Sequence, residues 1–216
     1  LEALGLAEDT LIIFNSDNGA HGQGGTREFF DTTAGLKGKK RLMTEGGVRS
    51  PMLAYWPGTV PAGVRSDHIS AFWDFLPTMA ELTGEPVDGR TDGLSMLPTL
   101  RGQSELQQQH KYLYWELYEG RPNCGVRMGK WKGIVLDRRN GMQIELYDLE
   151  ADETEEVNVA AQYPEVVEEI RKAMLEAHEP SPFWGKDNQP LYNGPAACEL
   201  NGVTYVPRVP KKKKAQ

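Results

Sequence analysis

Two stretches of this chain carry side chains of the kind that do chemistry. The first is Leu11-Ile12-Ile13-Phe14-Asn15-Ser16-Asp17-Asn18-Gly19. Asp17 and Asn18 place a carboxylate beside a carboxamide, the hard oxygen ligands that calcium and magnesium take. Asp-Asn-Gly is also an ordinary turn, because these residue types dominate turns. The second stretch runs from Gly35 to Pro51 and holds Lys37, Lys39, Lys40, Arg41 and Arg49 among glycines. Cations so close in sequence to a metal-type pair suggest an anionic substrate. Lysine and metal would share the charge of a phosphate or sulfate group as it reacts. Solvated surface lysines would give the same pattern.

The elements that must position these groups can be read from periodicity. Residues 10–15 are a short apolar run bounded by turn residues, the pattern of a fully buried strand. Asp17 and Asn18 then stand beyond its carboxyl end, where open α/β sheets bind ligands, and Gly19 supplies a turn that other residues resist. The first nine residues read as a helix end with Gly5 near its cap. Residues 19–47 form a long glycine-rich loop, a length usually tied to function or disorder. Met52 to Trp56 is a second strand, stopped by Pro57-Gly58. Residues 73–84 read as a helix, with Asp74 at its start, Pro77 in its first turn and Gly84 closing it.

The polar run 103–110 reads as a linker. Beyond it, Lys111–Tyr118, Val126–Asp137 and Met142–Leu149 are rich in aromatic and β-branched residues and read as an antiparallel sheet. Asn140-Gly141 is a hairpin signal between the last two. The acidic run 150–156 reads as a solvated loop. Pro164 opens a helix whose Val166, Val167, Ile170, Ala173, Met174 and Ala177 share one side that should cover the sheet. The expected organisation is a unit over 1–102, a sheet-and-helix unit over 103–179 and an extended tail over 180–216.

Composition limits the function classes. Of 216 residues, 39% are hydrophobic and 25% charged, as in soluble globular domains. The net charge of −7 argues against a nucleic-acid binder, and no apolar run is long enough to span a bilayer. Lys211 to Lys214, the one basic block, reads as a solvated tail. Cys124 and Cys198 lack metal-ligand spacing. The opening Leu1-Glu2-Ala3-Leu4, without methionine, reads as the interior of a longer polypeptide.

Several motifs follow one another in order. Phe14-Asn15-Ser16-Asp17-Asn18-Gly19 comes first, then Lys40 five residues before Glu45-Gly46-Gly47-Val48-Arg49. Tyr55-Trp56-Pro57-Gly58, Ser66-Asp67-His68, Asp74 with Pro77-Thr78 and Asp92-Gly93-Leu94-Ser95 come next. Tyr112-Leu113-Tyr114-Trp115-Glu116, Val126-Arg127-Met128-Gly129-Lys130-Trp131-Lys132 and Leu146-Tyr147-Asp148-Leu149 complete the series. Over roughly residues 1–185 this ordered set resembles the sulfatase family of the alkaline-phosphatase-like superfamily.

The resemblance implies an α/β fold: the C-terminal part of an alkaline-phosphatase-like mixed sheet with helices, plus a small antiparallel sheet packed by a C-terminal helix. It implies hydrolysis of a sulfate ester on a sulfated small molecule or glycan, and an exported (periplasmic or secreted) parent. Asp17 and Asn18 would be two ligands of a calcium ion, in preference to magnesium. Lys40 would contact the sulfate group as a catalytic and substrate-binding residue, with Lys39 its neighbouring rival. His21 would approach the metal site or substrate, or else hydrogen-bond the glycine loop. Arg27, with Glu28 to Asp31, and Glu116, with Arg127, would line the substrate cleft. Glu45 and Arg49 would hold the loop, His68 would be structural, and Trp115 and Trp131 would pack between sheet and helix.

One departure stands out. The family's nucleophile is a formylglycine made in a Cys/Ser-x-Pro-x-Arg motif, and neither Cys124, Cys198, Ser50 nor Ser181 opens that pattern. The paired aspartates that complete the calcium site also have no counterpart. The expected partner is therefore the remainder of the same sulfatase polypeptide. The rival readings are a phosphodiesterase or phosphonate hydrolase of the same superfamily, and a non-catalytic sulfatase-like module.

Overall fold

The computed structural model describes residues 1–21, 29–118, 122–179, 198–200 and 203–205. A 3-10 turn over Glu2–Leu4 ends at Gly5 in the left-handed region (φ 66°). Strand β1 (Ile12–Asn15) follows and pairs antiparallel with β2 (Met52–Tyr55), Ile12 lying opposite Tyr55 and Asn15 opposite Met52. The fully buried strand expected here is instead two-faced. Side chains alternate across a strand, and Leu11, Ile13 and Asn15 line an open groove with Phe72, Phe75 and Met79. Phe14 and Leu53, opposite one another on the other face, are 68% and 60% exposed.

The single-turn helix α1 (Glu45–Val48) interrupts the glycine-rich loop just before β2. A 3-10 turn over Phe72–Asp74 leads into α2 (Phe75–Thr83), which Gly84 closes at φ 75°. Asp74 is fully buried and accepts hydrogen bonds from the Ala71 and Leu94 amides at 2.7 and 2.9 Å. His110 Nε2 lies 2.9 Å from the same carboxylate. The 103–110 stretch is therefore tied down, contrary to its reading as a linker. Its buried Gln107 also accepts from the Thr99 amide and donates to the Ser95 carbonyl, near α3 (Leu97–Leu100). Polar composition concealed this, because the groups that satisfy these side chains are distant in sequence.

The second sheet has four antiparallel strands in sequential order: β3 (Leu113–Leu117), β4 (Asn123–Met128), β5 (Trp131–Val135) and β6 (Glu145–Asp148). The run read as one strand from Val126 to Asp137 is split by a turn at Gly129 (φ 56°), and a 3-10 turn over Arg138–Asn140 replaces a tight Asn-Gly hairpin. Helix α4 (Pro164–Ala177) covers one face of the sheet as its apolar spacing requires. Ile170, Ala173 and Met174 pack there with Cys124, Val126, Val135, Ile144 and Leu146. A side chain at Gly133 would sit 2.3 Å from Ile170 Cγ2, so glycine is what lets the helix approach. Full burial of a side chain such as Ile170 is worth about 1.5–3 kcal/mol.

The opposite face of the sheet meets the loop that carries the lysines. Met43 packs with Ile134, Tyr147 and Leu149, flanked by Val48, Trp115 and Leu117. Trp131 packs on Tyr163, next to α4, at a ring separation of 4.9 Å. Trp115 instead stands on the loop face, 6.0 Å from Trp73, because adjacent positions of β3 point opposite ways. Of the expected tail, only a short antiparallel pair is described, β7 (Cys198–Leu200) with β8 (Val203–Tyr205); the rest of 180–216 lies outside the described residues. Among the described residues no helix is long and apolar enough to cross a membrane.

Candidate functional site

Strand β1 delivers Asp17 and Asn18 to the end of the first sheet. Ser16 Oγ donates to the Asn18 carbonyl at 2.9 Å, and Asn18 Nδ2 donates to the Gly19 carbonyl at 3.1 Å. The second bond uses the carboxamide nitrogen and does not involve its oxygen. Asp17 is exposed at the edge of the groove formed with α2.

Two backbone hydrogen bonds bring the lysine stretch to this point. The Gly19 amide donates to the Gly47 carbonyl at 2.8 Å, and the Lys40 amide donates to the Ala20 carbonyl at 3.1 Å. Gly19 does not need glycine for a positive φ, as its sequence suggested. It needs glycine for contact, since a Cβ there would lie 1.9 Å from the Gly46 carbonyl oxygen. Gly46 in turn would clash with the Lys37 carbonyl at 2.6 Å, and Gly47 with the Leu42 carbonyl at 2.1 Å. The glycines thus press two backbone segments together and bring Lys40 beside the Asp17-Asn18 turn.

Beneath the loop lies a charged cluster. Glu45 is 3% exposed and accepts from Lys132 Nζ at 2.9 Å and Arg127 Nη1 at 3.2 Å. Lys132 is fully buried, with its ammonium 5.0 Å from the centre of the Trp115 ring. Burial alone would raise the Glu45 pKa, but Lys132, Arg127 and Arg49 hold it below the usual carboxylate value. Arg49 also pairs with Glu153. Both residues thus join the loop to the second sheet and the acidic turn after it.

That acidic turn is not wholly solvated. Glu155 is fully buried, and its Oε2 accepts from the Glu45 amide at 2.8 Å. Burial pushes its pKa up to about 7, with the Glu45 charge adding to the effect. The Glu45 amide, Lys132 and Lys37 pull the other way. The folded value lies above the ordinary 4.5, so this group favours the folded state below that pH and removes stability as pH rises from 4.5 to about 7. The loss is on the order of 3 kcal/mol at roughly 1.4 kcal/mol per pKa unit. Urea unfolding should show Glu155→Gln gaining stability relative to the parent between pH 5 and pH 8. An unchanged difference across that range would contradict this.

The other expected site residues are placed as follows. His21 is exposed and directly follows Ala20, whose carbonyl holds the Lys40 amide. Arg27, with Glu28, lies outside the described residues. Phe29 and Phe30 are exposed and meet edge to face at 4.7 Å. Glu116 lies on the α4 side of the sheet, away from the lysine loop. It accepts from Tyr114, Tyr118 and Arg138 and lies 2.9 Å from His178 Nδ1. Burial would raise the Glu116 pKa, but bonds to Tyr114, His178 and Tyr118 bring it below the usual value. The backbone of Lys40 is therefore held against Ala20, between the Asp17-Asn18 turn and His21, while Glu116 lies apart.

Lys132 and Glu155 were missed as structural charges. Lys132 had a signal, since it stands among Trp131, Gly133, Ile134 and Val135. Glu155 had none, because one acid among Asp152, Glu153 and Glu156 looks like its neighbours.

An exposed Asp17 carboxylate next to the Asn18 carboxamide has donor types that suit part of a calcium shell, which takes about six to eight oxygens. Among the described residues no group of three or more His, Cys, Asp or Glu could hold a metal ion, so Asp17 and Asn18 do not make a metal site by themselves. Cys124 does not fit the formylglycine. Cys124 is buried on the α4 side of the sheet with Sγ 3.9 Å from Met174 Sδ, and burial pushes its thiol up to about 11.

Residues 35–180 match the family model described as N-sulphoglucosamine sulphohydrolase, C-terminal. Human arylsulfatase A is 32% identical over 197 residues, covering 80% of this chain and 38% of the relative. Human steryl-sulfatase is 38% identical over 119 residues, covering 53% of this chain and 20% of the relative. A solved structure described as BT4656 in complex with its substrate D-glucosamine-2-N,6-O-disulfate superposes with a TM-score of 0.65 at 27% identity, over 82% of this chain and 35% of that one. The chain thus spans well under half the length of each. With a mixed α/β architecture and a family match over most of its residues, the chain belongs to the sulfatase family, whose C-terminal domain it carries.

Proposed function

We infer that this chain supplies the sulfate-binding lysine and part of the calcium site of a sulfuric ester hydrolase. The observation that supports the reading is the Lys40 amide on the Ala20 carbonyl, which ties the backbone of Lys40 to the segment that follows Asp17 and Asn18. The Lys40 ammonium would contact the sulfate group and neutralise charge developing on it and on the departing alkoxide. Asp17 and Asn18 would hold calcium, which supplies Lewis-acid polarisation of the sulfate oxygens. His21, next to Ala20, would approach the metal site or the substrate.

The nucleophile and the remaining metal ligands would come from the rest of the sulfatase polypeptide. The bare apolar face of β1 and β2, with Ile12, Phe14, Leu53 and Tyr55 all exposed, suits packing against that remainder. The substrate would be a sulfated small molecule or glycan, in keeping with the relatives' names, and the parent would be exported as sulfatases of this kind are. The purified 216-residue chain should show no turnover of an aryl sulfate, whereas the complete protein hydrolyses it with calcium bound. Robust turnover by the chain alone would overturn the division of the site. Zinc or manganese in the complete protein, with preference for a phosphate diester, would replace the reading with phosphoryl transfer.

A further inference from the structure

We propose that Glu155 is a positioning residue for Lys40, clasping the lysine loop on both sides from the turn that follows β6. The inference rests on the sulfatase reading of Lys40, and its geometry is independent of that reading. Glu155 Oε2 accepts the Glu45 amide at 2.8 Å, and the Glu155 carbonyl accepts Lys37 Nζ at 2.6 Å. These two anchor points flank Lys40, three residues before it and five after. The neck of the loop is closed between them by the Gly46 amide, which donates to the Lys37 carbonyl at 2.8 Å. One residue from the turn after the second sheet thereby sets both ends of the segment that carries Lys40.

Four further features make Glu155 more than a chance contact. It is fully buried, and its backbone is at φ 58°, where side-chain-bearing residues are uncommon. Among the described residues its Oε1 has no hydrogen-bond partner, so Oε2 makes the one side-chain hydrogen bond seen for this buried acid. The same turn sends Glu153 to Arg49, just beyond α1. The groups facing Glu155 are Glu45 and Lys37 from the loop and Lys132 from β5, with Tyr147 of β6 also within its field.

A displacement of the reacting group by one ångström costs up to about a hundredfold in rate. In the complete enzyme, Glu155→Asp, one methylene too short to reach the Glu45 amide, should lower kcat for an aryl sulfate about ten- to hundredfold with KM changed less than about threefold. Glu155→Gln keeps an acceptor oxygen at the original reach and should restore kcat to within about threefold of the parent. Amide hydrogen exchange gives a readout that does not depend on turnover. The Lys40 amide should exchange faster in Glu155→Asp and stay protected in Glu155→Gln. Equal kcat in parent and Glu155→Asp, or unchanged Lys40 protection in Glu155→Asp, would overturn the clasp. A Lys40→Ala enzyme with full activity would instead sink the sulfatase role of Lys40 while leaving the exchange result intact.

Discussion

Replacing Lys40 with alanine in the complete enzyme is expected to lower kcat for an aryl sulfate by about two to three orders of magnitude, the usual cost of losing one donor aimed at developing charge. The loss should fall on kcat more than on KM, because the ammonium is needed most when negative charge builds on the sulfate and leaving oxygen. The fold should hardly notice. The Lys40 contact that anchors the segment is its backbone amide on the Ala20 carbonyl, which alanine keeps. Lys40→Arg should recover only part of the activity, since a planar fork does not reproduce a compact ammonium. Lys39→Ala in parallel decides between the neighbours: a larger loss there than at Lys40 would reassign the role. Steady-state kinetics on the purified variants, with calcium content measured alongside, make the comparison.

The second large effect is on stability. Lys132→Met should destabilise the fold by about 3–5 kcal/mol, because it strands the buried Glu45 carboxylate without its ammonium. Both side chains are inaccessible, at 0% and 4% exposure, so water cannot substitute for the missing partner. The double variant Glu45→Gln/Lys132→Met should recover much of that loss, since removing both charges also removes the desolvation cost. The four free energies of this cycle, from chemical denaturation, give the coupling directly. A near-additive cycle would mean that the pair is not the cause. Arg127, 3.2 Å from the same carboxylate, should limit the damage without cancelling it, as its guanidinium is itself partly exposed.

Local pattern carried much of this fold. Apolar runs marked β1 and β2, the Pro164 signal marked α4, and the spacing of Ile170, Ala173 and Met174 identified the face that packs on the sheet. What escaped was set by partners distant in the chain. Lys132 and Glu45 are 87 residues apart, and Glu155 and Glu45 are 110 apart, so no window of sequence joins them. The break at Gly129 was hidden because β4 and β5 have similar composition. Phe14 was misjudged for another reason: apolar character says that a side chain favours burial, and it does not name what buries it. At the candidate site, the residue types at Asp17, Asn18 and Lys40 were legible. The backbone bonds that bring them together were not, because glycine contacts have no side-chain signature.

That last feature has an evolutionary and practical consequence. The junction between the metal-type turn and the lysine loop is backbone against backbone, with Gly19, Gly46 and Gly47 leaving no room for even a methyl group. Such a seam offers nothing to vary. Variation meant to leave the lysine loop in place therefore belongs outside the seam, at exposed residues such as Phe29 and Phe30.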